Sequence, residues 1–376
     1  MKITNIRFAR LSVPLNTPFK TALRSVKSID DVVVIIETDS GDIGYGAAPA
    51  TPIITGDTHA SVIAAISTVY KPLLVGRDIA NINELTTLIQ AAMVNNTSAK
   101  AALEIAIYDL WGKLFNAPLY QLLGGGNSSL STDITISVDS IDKMLADSLD
   151  ALAQGFNILK IKVGTDIHQD IERVKTIYQA VENKALIRLD VNQGWTAKQT
   201  VFAIHKLEDL GVELELVEQP VKAADIAGMQ YISERVQTPI MADESAFSPK
   251  QVIELIQLNA ADIINIKLMK TGGISNAIKI ADIASVYHVD CMIGCMLEGS
   301  VGVSAAAHLA VAKSSVINKI DLDGPALGKF DPIVGGASFD KSKITLSELP
   351  GLGIEKIEGL LELSQQQVEE QIQKAS

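Results

Sequence analysis

The sequence predicts an α/β barrel preceded by a separate α+β module, and three observations carry that prediction. After residue 130, eight short β-rich runs recur roughly every 25 residues, with helix-like segments in most of the gaps; regular alternation of this kind implies βα units and a parallel sheet. The stretch before them reads as antiparallel strands followed by helices, an α+β pattern. Between the two lies the glycine-rich "LLGGGNSS" at 122–129, a boundary signal. Eight units suit a closed (β/α)8-type barrel better than an open sheet. The open doubly wound alternative is weakened because no GxGxxG follows the first strand.

Taken in order, "DDVVVIIETDSGDIGYGAA" (30–48) reads as a strand, a turn at Asp39-Ser40-Gly41-Asp42 and a second short strand. Helical periodicity follows at 57–74 and 81–92. It continues in "NTSAKAALEIAIYDLWGKLFNAP" (96–118), where Asn96 and Thr97 are cap candidates and Pro118 marks the end. The barrel strands are expected at 133–137, 158–163, 186–191, 214–218, 239–243, 262–267, 290–294 and 316–321. The chain divides into a capping domain, 1–125, and a barrel, 126–325, with the C-terminal segment 326–376 joining the former. The tail from about residue 350 is expected to be solvated, as a short helix or a frayed end.

Composition narrows the function classes. Of 376 residues 47% are hydrophobic, ample for a large core, and the net charge of -12 speaks against nucleic acid as a partner. No apolar run approaches the ~18 residues of a membrane span, and "MKITNIRFARLSVPL" lacks the apolar core of a secretory signal. A cytoplasmic protein is expected, as a monomer or a homo-oligomer. Cys291 and Cys295 read as small buried residues, without zinc or disulfide spacing. The histidines at 59, 168, 205, 288 and 308 form no ligand-spaced cluster.

In a barrel the active site lies at the carboxyl ends of the strands. Lys160 and Lys162 end the second strand, Asp190 the third, Glu218 the fourth, Asp243 the fifth and Lys267 the sixth; Asp321 ends the eighth, with Asp323 just beyond. Charged residues are rarely buried unless paired, so charges at successive strand ends suggest one central site. Three carboxylates without histidine or thiolate suit a hard divalent cation, first Mg2+, with Mn2+ also fitting. Lysines from opposite sides of the barrel suit removal of a proton on one face of a carbon and its return on the other. A lysine base must be neutral, and repulsion between Lys160 and Lys162 is expected to lower the pKa of Lys162 toward neutrality. A Schiff-base aldolase using Lys267 and a non-catalytic metal-binding scaffold are the alternatives from other classes.

These residues resemble a known family. "LKIKVG", "LDVNQGW", "VEQP", "MADES" and "NIKLMKTGGI" look like the signature blocks of the enolase superfamily, in its muconate lactonizing subgroup, where a second lysine replaces a His-Asp pair. The resemblance covers nearly the whole chain. It implies a modified TIM barrel of (β/α)7β form with an N-terminal α+β capping domain, so one helix should be missing or irregular. It implies Asp190, Glu218 and Asp243 as Mg2+ ligands, Asn192 supporting them, Lys162 and Lys267 as the two bases and Lys160 assisting. "DLDGP" (321–325) resembles the Asp-x-Asp with which the subgroup's dipeptide epimerases hold an α-ammonium. N-acyl or muconate substrates carry no such cation. "FKTALRSV" places Arg24 in a loop over the barrel mouth, a carboxylate binder in the Ala-Glu epimerase pattern. "TPIITGDT" looks like a second specificity loop, with Ile54 and Thr55 near substrate. The expectation is therefore an L-Ala-D/L-Glu epimerase working through a metal-stabilised enediolate. An N-acylamino acid racemase or a muconate-type cycloisomerase is the alternative within the subgroup.

Overall fold

The computed structural model describes residues 1–21 and 24–375. The capping domain is built on a four-stranded antiparallel sheet, in the order Leu361–Glu362, Ile3–Lys20, Ser25–Thr38, Ile43–Pro49. The expected turn is there, with Gly41 at φ +87°, a conformation that favours glycine. Strand Ile3–Lys20 was not among the expected elements. It pairs with Ser25–Thr38 through a register shift between Pro14 and Phe19, where Pro14 has no N–H to give the ladder.

One helix covers this sheet at close range. Thr97–Leu114 is buried on almost every side, which agrees with its weak amphipathicity. Its face carries Ala102 and Ala106, and the opposing strand carries Gly44 and Gly46. A Cβ on Gly46 would stand 1.9 Å from the carbonyl oxygen of Ala102, so that glycine sets the contact distance. The same helix docks the cap on the barrel. Buried Glu104 accepts from the Ser275 amide (2.8 Å), the Ser275 hydroxyl (2.7 Å) and Gln90 Nε2 (2.7 Å). Ser275 lies in the first turn of barrel helix Ile274–Val286, whose free amides favour an anion.

The eight expected β runs form one eight-stranded parallel sheet in sequential order: Ile134–Ile136, Ile158–Lys162, Leu186–Asp190, Leu216–Glu218, Ile240–Ala242, Ile263–Ile266, Asp290–Gly294 and Ile317–Asp321. The first and eighth strands approach one another where the Asp133 amide donates to Ile320 O at 3.4 Å. Below this seam the buried Arg188 guanidinium donates to Asp133, Glu215 and the Ile320 carbonyl. Helices follow the first seven strands. After the eighth there is only the single turn Gly324–Leu327, so the barrel is a (β/α)7β form capped by an α+β domain.

The tail is more ordered than a frayed end. Leu352, Ile354 and Ile357 are buried, Ile354–Ile357 pairs with Ile333–Gly335, and Leu361–Glu362 extends the capping sheet. Helix Gln365–Ala375 packs beside His59–Ala65 and is exposed apart from a few positions such as Gln371. Among the described residues no helix is long and apolar enough to cross a membrane.

Candidate active site

Register brings the charged strand ends together. Lys162, Asp190 and Glu218 are successive ladder partners across the second, third and fourth strands, so their side chains leave the sheet at one level. Asp243 and Lys267 each lie one residue past their strand. All are nearly or wholly buried: Asp190 and Glu218 are 0% exposed, Asp243 1%, Lys160 2%, Lys162 and Lys267 6%.

Buried charges must be paired, and here they pair densely. Lys160 Nζ lies 3.0 Å from Asp190, 2.6 Å from Glu218 and 2.7 Å from Asp321. Lys162 donates to Asp190 Oδ2 at 2.5 Å, and Lys267 to Asp243 Oδ2 at 2.8 Å. Lys160 therefore stands among three acids as well as near Lys162. Burial alone would lower the Lys160 pKa, but Asp190, Asp321 and Glu218 outweigh it and hold the ammonium well above its usual range. Lys267 is raised in the same way by Asp243 and Glu218. The acids divide. Burial raises Glu218 to about 8, with Asp190 adding to the effect. Asp190 and Asp243 overcome burial through their lysines and stay below the carboxylate range.

The donor set fits a hard cation. Glu218 Oε2 and Asp243 Oδ1 are buried and accept no well-directed hydrogen bond, although a lysine ammonium lies 2.6 Å from each. Every candidate ligand is a carboxylate oxygen, as Mg2+ prefers. Cys295 lines the mouth of the site, but burial raises its thiol well above the usual value and leaves it a poor ligand. Asn192 is at φ 45°; its amide donates to Asp190 Oδ1 at 2.9 Å, and its own Oδ1 is buried without a partner.

Asp321 and Asp323 face the same cavity as the three lysines, under a lid of Phe19, Leu297 and Leu327. Phe19 belongs to the long capping hairpin. Its ring lies 5.9 Å from Lys162 Nζ, and Lys20 anchors the hairpin to the barrel through Ser137 and Asp139. Arg24 lies on this hairpin, half-buried, with its backbone bonded to Thr21. Burial lowers its pKa, and among the described residues it forms no ion pair. Ile54 and Thr55 lie in a cap loop. Ile54 packs on the core, and Thr55 Oγ1 accepts from Asp57 N and the Ser98 hydroxyl; neither is among the residues lining the lysine cavity.

Several residues went unseen in the sequence. Lys270 is 0% exposed, and its Nζ lies 2.6 Å from Asp243 Oδ1, 2.5 Å from Asp243 O and 2.8 Å from Asn265 O. Asn265 donates to Glu218 Oε1 at 2.8 Å. Gln219 accepts from the amides of Asp243 and Ser245. Glu244 is buried with both oxygens unpartnered among the described residues, and burial together with Asp243 raises it to about 7. The signal for Lys270 was available: a second lysine three residues after Lys267, inside an apolar run.

Comparison with known proteins places this geometry in a family. Residues 3–124 match the mandelate racemase / muconate lactonizing enzyme N-terminal domain, and residues 143–359 the enolase C-terminal domain-like family. The chain is 51% identical over 357 residues to an L-Ala-D/L-Glu epimerase of Clostridium acetobutylicum, covering 95% of this chain and 99% of that one. Its structure is similar to that of the L-Ala-D/L-Glu epimerase from Bacillus subtilis in a substrate-liganded complex, with a TM-score of 0.93 and 47% identity, covering 95% of this chain and 99% of that one. It is also similar to the dipeptide epimerase from Enterococcus faecalis complexed with Mg and the dipeptide L-Leu-L-Tyr, with a TM-score of 0.91 and 41% identity, covering 95% and 100%. Strand-end acids and lysines under a capping hairpin, matched in both halves of the sequence, thus have one common explanation: the chain belongs to the mandelate racemase/muconate lactonizing enzyme family of the enolase superfamily.

Proposed function

We propose that this protein is an isomerase, a Mg2+-dependent dipeptide epimerase acting on L-Ala-D/L-Glu and inverting the α-carbon of the second residue. The observation that carries the reading is the position of Asp321 and Asp323 in one cavity with Lys160, Lys162 and Lys267. A site that only enolised carboxylates would need the lysines. Two further buried acids facing the same substrate favour one that brings a cation, and the free α-ammonium of a dipeptide is such a cation.

Asp190, Glu218 and Asp243 would hold the ion, with Asn192 supporting Asp190. Bound there, Mg2+ supplies a Lewis acid that offsets negative charge on the substrate carboxylate as the α-proton leaves. Lys162 and Lys267 stand on the second strand and after the sixth, about half the barrel apart. The neutral one takes the α-proton on its face, the other delivers a proton from its ammonium on the opposite face, and the configuration inverts. Lys160, held between Asp190, Glu218 and Asp321, keeps its charge and contributes a fixed cation. Arg24 holds the Glu side-chain carboxylate, and Phe19 screens the Lys162 side from water. Ile54 and Thr55 act from the second cap loop. Such an activity suits recycling of cell-wall peptides in the cytoplasm.

The test is incubation with L-Ala-L-Glu and Mg2+ in D2O, followed by mass spectrometry and chiral analysis. Deuterium at the Glu α-carbon together with formation of L-Ala-D-Glu is expected, and the absence of both would overturn the assignment. Lys162→Ala and Lys267→Ala should each abolish epimerisation while exchanging the α-proton of opposite epimers.

A further inference from the structure

A third acid lies beside the Asp321–Asp323 pair. Asp133, at the entry to the first barrel strand, is wholly buried. One carboxylate oxygen from each of Asp133, Asp321 and Asp323 lies within 4.8 Å of the other two. Asp133 is held from one side only: its Oδ2 accepts from Arg188 Nη1 at 2.7 Å. Its Oδ1 is buried and, among the described residues, has no partner. The other two acids are fixed in turn, Asp321 Oδ2 by Lys160 at 2.7 Å and Asp323 Oδ2 by the Thr135 amide at 2.7 Å. The turn between them is tied to the same seam, where the Leu322 amide donates to Thr132 Oγ1 at 2.8 Å.

The spacing of the three oxygens suits an ammonium. Three oxygens no more than 4.8 Å apart share a point no farther than about 2.8 Å from any of them, the length of a charged N–H···O bond. A primary ammonium has three N–H donors, and an orphaned buried carboxylate oxygen needs one. The neighbouring cations do not satisfy the cluster by themselves: Lys160 is shared with Asp190 and Glu218, and Arg188 with Glu215.

We propose that Asp133 is the third acid of the subsite that receives the substrate's N-terminal ammonium, and that it enforces the preference for a free over an acylated amine. The proposal rests on the dipeptide reading above. An N-acyl group offers at most one amide N–H and no charge, so Asp133 would remain buried and unpaired against it.

The test uses the Mg2+-loaded enzyme with L-Ala-L-Glu and N-acetyl-L-Ala-L-Glu, following α-deuteration for kcat and KM and calorimetry for Kd. Asp133→Asn should raise KM and Kd for the free dipeptide about tenfold or more, the value of one charged hydrogen bond. Its kcat should change little, and its constants for the acetylated dipeptide should not worsen. If Asp133→Asn fails to fold because Arg188 is stranded, the paired variant Asp133→Asn/Arg188→Gln removes both charges and should show the same loss of preference. A folded variant that keeps the wild-type ratio of the two substrates overturns the proposal. So does a Mn2+ titration in which Asp133→Asn loses one bound ion, because the acids would then serve an inorganic cation. If the wild type itself shows no preference for the free amine, the dipeptide reading fails first, and the two failures are distinguishable.

Discussion

Lys270→Met isolates the residue that most clearly supports, from behind, the acids assigned to the metal. Methionine has nearly the same length and no donor. The substitution strands Asp243 Oδ1, Asp243 O and Asn265 O, now 2.6, 2.5 and 2.8 Å from the ammonium, in a place where Lys270 is 0% exposed. Breaking a buried ion pair by removing one partner costs about 3–5 kcal/mol, and two newly unsatisfied carbonyl acceptors at about 1–3 kcal/mol each are of the same order. Urea unfolding in EDTA should show this loss. In saturating Mg2+ it should shrink, because Asp243 then has another cation to face. The double variant Lys270→Met/Asp243→Asn should be more stable than the two single losses predict by about 2 kcal/mol or more, since no buried charge is left uncompensated. A loss under about 1 kcal/mol in EDTA, or additivity in the cycle, would refute the claim that Lys270 neutralises Asp243.

Three further outcomes follow from other parts of the molecule. Gly46→Ala would place a Cβ 1.9 Å from Ala102 O and should destabilise by about 3 kcal/mol or more through displacement of helix Thr97–Leu114; an unchanged urea midpoint would show that the helix can retreat at no cost. Glu298 has one oxygen on the Met296 amide and the other orphaned, and burial, reinforced by Asp31, raises it to about 8. A carboxyl raised in the folded state binds its proton more tightly than in the unfolded chain, so stability falls as pH rises between about 4.5 and 8 and is flat above; that is about 3 kcal/mol lost from pH 5.5 to 7.5, and Glu298→Gln should remove that slope in urea titrations at the two pH values. Arg24→Ala should raise KM for L-Ala-L-Glu about tenfold or more and leave L-Ala-L-Leu nearly unaffected; equal effects on both would remove Arg24 from side-chain recognition.

The barrel was legible because its strands advertise themselves as short β-rich runs and, in six of the eight, by a charge at the carboxyl end. Asp190, Glu218 and Lys162 could be read from that pattern because the parallel register aligns strand ends. Glu244 could not. It follows Asp243 directly, and neighbours on an extended chain point to opposite sides, so a strand-end reading admits one and discards the other; the chain leaves the strand at Ala242, and both acids are buried. Asp133 was hidden for a different reason. It sits at the entry of its strand, the end that a barrel normally gives to stability, and comes near Asp321 and Asp323 across the seam of the first and eighth strands, which sequence spacing does not reveal. Strand Ile3–Lys20 was missed although positions 9–15 alternate between buried and exposed as a half-buried strand does; Pro14 inside the run speaks against a strand. The end of the tail is the short, mostly exposed helix expected of it, but residues 352–362 are ordered by long-range pairing, with Ile333–Gly335 and with the first strand, which local composition does not encode.

The pairing of the lysines bears on how such a site can work at all. An ammonium held by carboxylates in a buried pocket is an acid with its proton secured, and Lys267 is so held by Asp243 and Glu218. To take a proton from carbon it must first be released from that hold. The oxygens that hold it belong to the residues assigned to the divalent ion. Ligation of the acids and basicity of the lysine are therefore one equilibrium seen from two sides, because each carboxylate charge directed to the ion is lost to the ammonium. Lys160 is under the same hold, raised by Asp190, Asp321 and Glu218 against its burial. The register that places Lys162 beside Asp190 and Asp190 beside Glu218 has a functional consequence. A slip of one residue would turn every one of these side chains to the opposite face of the sheet, and base and ligand would be lost together.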